Sequence, residues 1–351
     1  MYASRIEDLP AECVIWHRVP IPPGPEVIRY PGWLLANATV RSWDRLRGLR
    51  PDVLYSPGAN CLRPDVVSVH ALFPKIRQSA DLVARNDIRG SLSLARRVHR
   101  WLYYRLAERM ERAVYRRKGL RLIAVSKRTE SELRKLFGDD LKTAVSYHGV
   151  DAKLFSPGTR QELRDAARHE LGLQSDSIAV LLIGNDWAAK GLATLVEAVR
   201  SIGNDRICIL AVGDELVRRF NLGHPGTSSV DVRALPKRSD VEFYYSAADI
   251  YASPSLEDSF ALPVLEAMAC GLPVITSSAA GVSEVIHRGE DGIVLDDPRD
   301  ISELARHLQH LAADSAARRR FGENAARTAS QFTWEQNARE LRSVLIQVLD
   351  H

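Results

Sequence analysis

The sequence predicts an α/β protein built from two Rossmann-like doubly wound domains that face a central cleft. Three observations carry this. From Asp52 onward, short continuous apolar runs alternate with longer stretches of helical periodicity; strands that are apolar on both faces belong to parallel sheets covered by helices on each side. The alternation occurs twice, on either side of Gly149–Gly158, whose Gly/Pro punctuation reads as a linker. A chain of 351 residues also has the length of two domains at about 150 residues each.

In the first half, Asp52–Tyr55, Val66–His70, Leu120–Val125 and Thr143–Tyr147 read as buried strands. The second half gives Ile178–Ile183, Arg206–Val212, Ile250–Ser253, Pro273–Ser277 and Ile293–Leu295. Helical stretches lie between them, among them Thr194–Ser201 and Pro263–Ala269, the latter with proline in its first turn. A later helix puts Ile301, Leu304, Ala305, Leu308, Leu311 and Ala312 on one face. The expected domains are residues 1–155 and 156–334. Ligands of such folds bind outside the carboxyl ends of the strands.

Composition narrows the class. At 45% hydrophobic and 26% charged residues, disordered, collagen-like and coiled-coil chains are excluded. No apolar run approaches the roughly 20 residues that span a bilayer. Met1–Pro10 carries Arg5, Glu7 and Asp8 with no apolar centre, so no signal peptide is expected there. Cys13, Cys61, Cys208 and Cys270 are far apart and form no CxxC, which argues against a disulfide framework or zinc site and fits a reducing cytoplasm. GxGxxG after a strand, Walker A, GxSxG and HExxH patterns are all missing, which argues against a dehydrogenase, P-loop enzyme, α/β-hydrolase or zincin.

The net charge of +4 conceals a strong asymmetry. Residues 85–135 hold sixteen Lys+Arg against five Asp+Glu, a local +11 that leaves about −7 for the rest. Trp101, Leu102, Tyr103, Tyr104 and Leu106 lie among the arginines. A basic helix with aromatic residues suits an anionic membrane surface or an anionic acceptor, and a solvated helical face explains it as well. No nucleic-acid motif accompanies the charge, so no nucleic-acid partner is expected.

The most specific stretch runs from Ser253 to Ile275, SPSLEDSFALPVLEAMACGLPVI. It reads as strand, turn and helix, with the turn Glu257–Ala261 aiming backbone N–H groups and a helix N-terminus at an anion. Asp258 lies in the turn and Glu266 follows with seven residues between them, placed to meet sugar hydroxyls. On spacing alone, a packed turn whose acids favour the helix start explains the pattern equally well.

This stretch resembles the signature of family 4 glycosyltransferases, retaining enzymes of the GT-B fold, with Asp258 where glutamate is commoner. The resemblance implies that Glu266 holds the nucleotide ribose, that Asp258 contacts the donor sugar, and that Phe260, Ala261 and Leu262 offer backbone N–H groups to sugar and diphosphate. Leu182–Leu192, with Gly184 and Lys190, resembles the first strand and loop of the family's donor domain, where Lys190 would neutralise the leaving diphosphate. Gly213 in Val212–Glu215 would border the base, and His70, ending a strand, would touch the donor sugar or phosphate. Arg238–Asp249, Ala124–Ser126 and Gly149–Asp151 match as well. The loop GNDWAAKG is also similar to that of lipopolysaccharide-core glucosyltransferases.

The implied activity is transfer of a sugar, with retention, from a nucleotide-diphosphate sugar to an acceptor hydroxyl of a glycan or glycolipid, without metal or other cofactor, in cell-envelope or lipopolysaccharide synthesis. The expected place is the cytoplasm, peripheral to the membrane, and the helix over 335–351 is expected to pack back on the first domain. Three departures stand out. Asn185 replaces a common arginine beside Asp186, and Pro236 replaces a common glycine. The family's first strand and glycine-rich loop have no counterpart, which suggests a start upstream of Met1 or a shortened protein. The alternatives are another GT-B enzyme, such as a sugar-nucleotide epimerase, and an impaired or non-catalytic donor-binding protein.

Overall fold

The computed structural model describes residues 1–5, 12, 14–86, 94–213 and 230–350. A short parallel pair, β1 (Tyr2–Ala3) and β2 (His17–Arg18), precedes helix α1 (Glu26–Leu46). The first α/β unit follows as β3 (Tyr55–Pro57), β4 (Val66–Val69), α2 (Phe73–Asn86), α3 (Leu94–Tyr115), β5 (Arg121–Ala124), α4 (Lys127–Phe137) and β6 (Lys142–Val145). Its sheet is parallel in the order β3-β4-β5-β6.

The second unit runs α5 (Pro157–Glu170), β7 (Ile178–Ile183), α6 (Leu192–Ile202), β8 (Ile207–Val212), β9 (Asp231–Leu235), α7 (Glu242–Ala247), β10 (Ile250–Ser253), α8 (Leu262–Ala269), β11 (Val274–Ser277) and β12 (Ile293–Leu295), then α9 (Ile301–Ala313) and α10 (Ser315–Ala329). Its parallel sheet has the order β12-β11-β10-β7-β8-β9. The chain therefore moves outward from β7 in one direction and returns to build outward from β10 in the other. The carboxyl ends of β7 and β10 flank the switch point, where such sheets bind ligands.

Alternation within β7 and β8 explains the layering. Ala179, Leu181, Cys208, Leu210 and Val212 face one core cluster, while Ile178, Val180, Leu182, Ile207, Ile209 and Ala211 face the other. Both faces are apolar, as two helical layers require. Helix α11 (Trp334–Leu349) returns to the first sheet, where Val344 packs with Val66 and Ile123, and Asn337 Nδ2 donates to Ser146 Oγ at 2.9 Å.

Three local readings change. The first strand lies at Tyr55–Pro57 rather than 52–55; the Leu54 N–H just before it is taken by the Asp65 carboxylate at 2.8 Å instead of by a neighbouring strand. Strand β9 was not expected, since Asp231 and Arg233 interrupt any continuous apolar run at this sheet edge. Gly158 belongs to the first turn of α5 rather than to the linker: Ser156 accepts the Thr159 N–H at 3.1 Å as the cap, and Pro157 opens the helix. Cys61, Cys208 and Cys270 are free and buried; Cys13 lies outside the described residues, as do Glu7 and Asp8. Among the described residues no helix is long and apolar enough to cross a membrane, and no group of side chains is placed to hold a metal.

Candidate active site

Two loops meet at the switch point. The loop after β7 begins at Gly184 and is folded by its own residues: Asp186 Oδ1 accepts the Ala189 N–H at 3.0 Å, and its carbonyl accepts the Lys190 N–H at 3.0 Å. Asp186 thus closes the turn that presents Lys190. Trp187 is 1% exposed, and its indole N–H donates to the Val212 carbonyl at 3.1 Å, anchoring the loop to β8.

Glycines here answer to close backbone approach. A Cβ on Gly213 would lie 2.1 Å from the Gly184 carbonyl oxygen, and one on Gly184 would lie 2.9 Å from Lys190 Cγ. Gly191 has φ +81°, and a Cβ there would lie 2.1 Å from the Pro254 carbonyl oxygen. The Leu256 N–H donates to the Ala189 carbonyl at 2.8 Å, so the lysine loop is fastened to the loop after β10.

In that second loop, Asp258 ties the parts together. Its Oδ2 forms an ion pair with Lys190 Nζ, and its Oδ1 accepts the N–H groups of Phe260 at 3.2 Å and Ala261 at 2.8 Å. Ala261 has φ +70°, a left-handed conformation that costs a non-glycine residue about 1–2 kcal/mol. It places Leu262 as the first residue of α8, with Pro263 beside it where no N–H is needed. Glu266 lies one turn into α8, where the hydroxyl of the fully buried Tyr245 donates to its Oε2 at 2.6 Å. Burial raises the Glu266 pKa, and the tyrosine hydrogen bond opposes that.

The structure therefore brings Gly184, Lys190, Asp258, Phe260, Ala261 and Leu262 into one locus, with Glu266 one helical turn away and Gly213 beneath Gly184. The arrangement differs from the expected one in a specific way. Lys190 and two of the turn's N–H groups are engaged by Asp258. Asp214 and Glu215, expected beside the base, lie outside the described residues. Pro236 uses its carbonyl to accept the Tyr244 hydroxyl at 2.7 Å.

His70 approaches from the first sheet, at the end of β4. Its Nδ1 is 3.4 Å from Nε2 of His148, a residue sequence reasoning passed over although it directly precedes the Gly149–Asp151 match. The His148 ring also meets Phe260 edge-on at 5.2 Å and Trp334 at 5.7 Å. His70 thus connects to the signature turn through His148. Burial, then the neighbouring His70, lowers the His148 pKa to about 4, and burial lowers that of His70. Gly149 is required here too, since a Cβ would lie 2.1 Å from the Trp334 nitrogen.

The two units are also joined directly. Ser126, the cap of α4, donates to the Ser259 carbonyl at 2.8 Å, and Arg128 pairs with Glu257 at 2.6 Å. Glu284, in the 3-10 turn Gly281–Val285, accepts the N–H groups of Lys127 and Arg128 and the hydroxyl of Tyr147. A carboxylate of the second unit thus sits on the N-terminus of a helix in the first. No single segment contains both partners, so local sequence patterns gave no sign of these contacts.

Both α/β units match known protein families. The family described as Glycosyltransferase Family 4 matches residues 2–154, and Glycosyl transferases group 1 matches residues 164–328. A D-inositol 3-phosphate glycosyltransferase of Paenarthrobacter aurescens is 31% identical over 229 residues, 62% of this chain and 55% of that protein. The chain spans little more than half the length of such curated relatives. Among solved structures, WaaG, described as a glycosyltransferase involved in lipopolysaccharide biosynthesis, superposes with TM-score 0.72 at 20% identity, over 95% of this chain and 87% of that one. HepE of Anabaena, solved in complex with UDP-glucose, superposes with TM-score 0.62 at 21% identity, over 90% and 76%. The two family matches together span both α/β units, and the chain belongs to the family 4-type glycosyltransferases of the GT-B fold.

Proposed function

We propose that the protein transfers a sugar from a nucleotide-diphosphate sugar to an acceptor hydroxyl. The observation that carries this reading is the convergence of Lys190, Asp258 and the N-terminus of α8 at the switch point of the second sheet. The bond between the anomeric carbon and the diphosphate oxygen breaks as the acceptor oxygen bonds to that carbon, and the acceptor proton leaves to the departing diphosphate or to water. Negative charge grows on the diphosphate as this happens. Lys190 and the Leu262 N–H are placed to stabilise it in a partly buried site. Glu266, oriented by Tyr245, would accept the ribose hydroxyls, and His70 would reach the sugar or phosphate from the opposite wall. The carboxylate of Asp258, released from Lys190 by the diphosphate, would then be free for a sugar hydroxyl. Retention follows from the family resemblance, and HepE, the relative in fold solved with UDP-glucose, supports a nucleotide-sugar donor.

The acceptor we infer is anionic and close to a membrane, as in envelope glycolipid or lipopolysaccharide synthesis. Helix α3 supports this: Val98, Trp101 and Leu102 are exposed, and Arg105, Arg109, Arg112 and Arg116 continue the same face. The side chains of Arg96 and Arg97 lie outside the described ones.

The test is release of nucleoside diphosphate from a panel of sugar nucleotides, with and without lipid-linked glycan acceptors. Release that depends on acceptor, with sugar appearing on the acceptor, supports transfer. Acceptor-independent interconversion of the donor favours an epimerase, and donor binding without turnover favours a binding protein.

A further inference from the structure

We propose that His148 is a positioning residue that sets the tautomer of His70, so that His70 presents an N–H to the donor. The inference rests on the glycosyl-transfer reading above and deepens it. Its starting point is the contact between the two rings. Their planes differ by 7° and their centroids are 5.2 Å apart, while His70 Nδ1 and His148 Nε2 are 3.4 Å apart. The nitrogens are much nearer to each other than the ring centres are, so the rings meet edge to edge, nitrogen to nitrogen, and do not stack face to face.

A hydrogen bond between two neutral imidazoles needs one facing nitrogen that carries a hydrogen and one that does not. Partial desolvation lowers the pKa of both imidazoles, which favours their neutral forms. The contact therefore couples the tautomers. If His148 Nε2 donates, His70 carries its hydrogen on Nε2, the nitrogen that does not face His148; if His70 Nδ1 donates, Nε2 is left a bare acceptor. The first arrangement suits this cleft, because an N–H directed at oxygens that gain negative charge lowers the barrier, whereas a lone pair there repels them.

His148 is itself held firmly enough to impose this choice. Its ring contacts those of Phe260 and Trp334, at centroid distances of 5.2 and 5.7 Å. The preceding Tyr147 is fixed by its hydroxyl bond to Glu284 at 3.0 Å, and its carbonyl accepts from Asn337 at 2.8 Å. The following Gly149 touches the backbone of Thr333 and Trp334.

The experiment combines nitrogen NMR of the histidine rings with kinetics on His148→Phe and His148→Gln. Phenylalanine keeps the ring that packs on Phe260 and Trp334 but has no nitrogen; glutamine restores an N–H donor. The expected result is a His70 ring protonated at Nε2 in the parent protein and in His148→Gln, and a mixture of tautomers in His148→Phe. We expect kcat in His148→Phe to fall about 10–100-fold, by analogy with the cost of losing a partner that orients a metal-ligating histidine, with recovery in His148→Gln and unchanged affinity for the nucleoside diphosphate. A His70 ring protonated at Nδ1 in the parent protein, or His148→Phe with parental tautomer and kcat, would overturn the proposal. The ring spectra read the histidine pair whether or not sugar transfer is detected, so failure of the pairing and failure of the glycosyl-transfer reading give different results.

Discussion

Lys190 and Asp258, 68 residues apart in sequence, form an ion pair in which both side chains are largely buried, 21% and 15% exposed. The pair joins the loop after β7 to the turn before α8. It therefore has two separable roles, holding the turn and presenting a cation. Asp258→Ala removes the acceptor for two backbone N–H groups as well as the partner of Lys190. It is expected to destabilise the second unit by about 1–3 kcal/mol, read as a lower melting temperature in calorimetry. Lys190→Ala is expected to lower kcat by about 10²–10³-fold in the diphosphate-release assay, since the cation would act on charge that develops in the transition state.

Gly213 tests whether a glycine named as a donor-binding residue is needed for its backbone. The Cβ of Gly213→Ala would lie 2.1 Å from the Gly184 carbonyl, an atom that cannot move without shifting the Lys190 loop. The expected loss is about 1–3 kcal/mol of stability, even with no ligand in solution. A stable variant with weakened nucleotide binding would place the role in ligand contact instead.

Glu284 links donor-side and acceptor-side units through two N–H groups of α4 and the Tyr147 hydroxyl. Glu284→Ala should loosen the contact between units while leaving the switch-point loops intact. Small-angle scattering should then report a larger radius of gyration. Nucleoside diphosphate affinity should stay near the parental value while kcat falls.

Glu111 makes stability depend on pH. It is 1% exposed and accepts the Phe73 N–H at 3.2 Å; burial pushes its pKa up to about 8. A carboxyl raised above its unfolded value binds more protons when folded, so its contribution is fully present below the ordinary glutamate range and is lost as pH rises through about 8. The melting temperature should fall across that window, and Glu111→Gln, which keeps an acceptor oxygen for Phe73, should flatten the slope and be the more stable protein above pH 8.

The exposed face of α3 makes a prediction about surfaces. Replacing Arg105, Arg109 and Arg112 by glutamate should abolish co-sedimentation with vesicles containing phosphatidylglycerol. The parent protein should bind such vesicles in low salt and release them in high salt. Equal binding to neutral vesicles would contradict an electrostatic surface.

Much of this architecture was legible because it is locally encoded. The apolar runs that became β7, β8 and β10 lie within single segments, as do Asp258 and Glu266 in one strand–turn–helix. Strand β9 was not legible, because Asp231 and Arg233 at a sheet edge break the apolar run. The His70–His148 contact joins segments 78 residues apart within the first unit, and the Arg128–Glu284 contact and the Arg128–Glu257 pair join segments 156 and 129 residues apart between the two units. No spacing rule reports such meetings. The pairing of Lys190 with Asp258 was hidden for the same reason, although each residue was singled out.

The most direct test of the central claim is a thermal-shift panel of UDP, GDP, ADP and NAD on the parent protein and on Lys190→Ala. A nucleoside diphosphate at 100 times its dissociation constant adds about 2.7 kcal/mol of stability. The site described here predicts a clear upward shift with one nucleoside diphosphate, a smaller one in Lys190→Ala, and none with NAD. A cooperative melt that no diphosphate moves, or a shift that Lys190→Ala leaves unchanged, would contradict a diphosphate site at the meeting of these two loops.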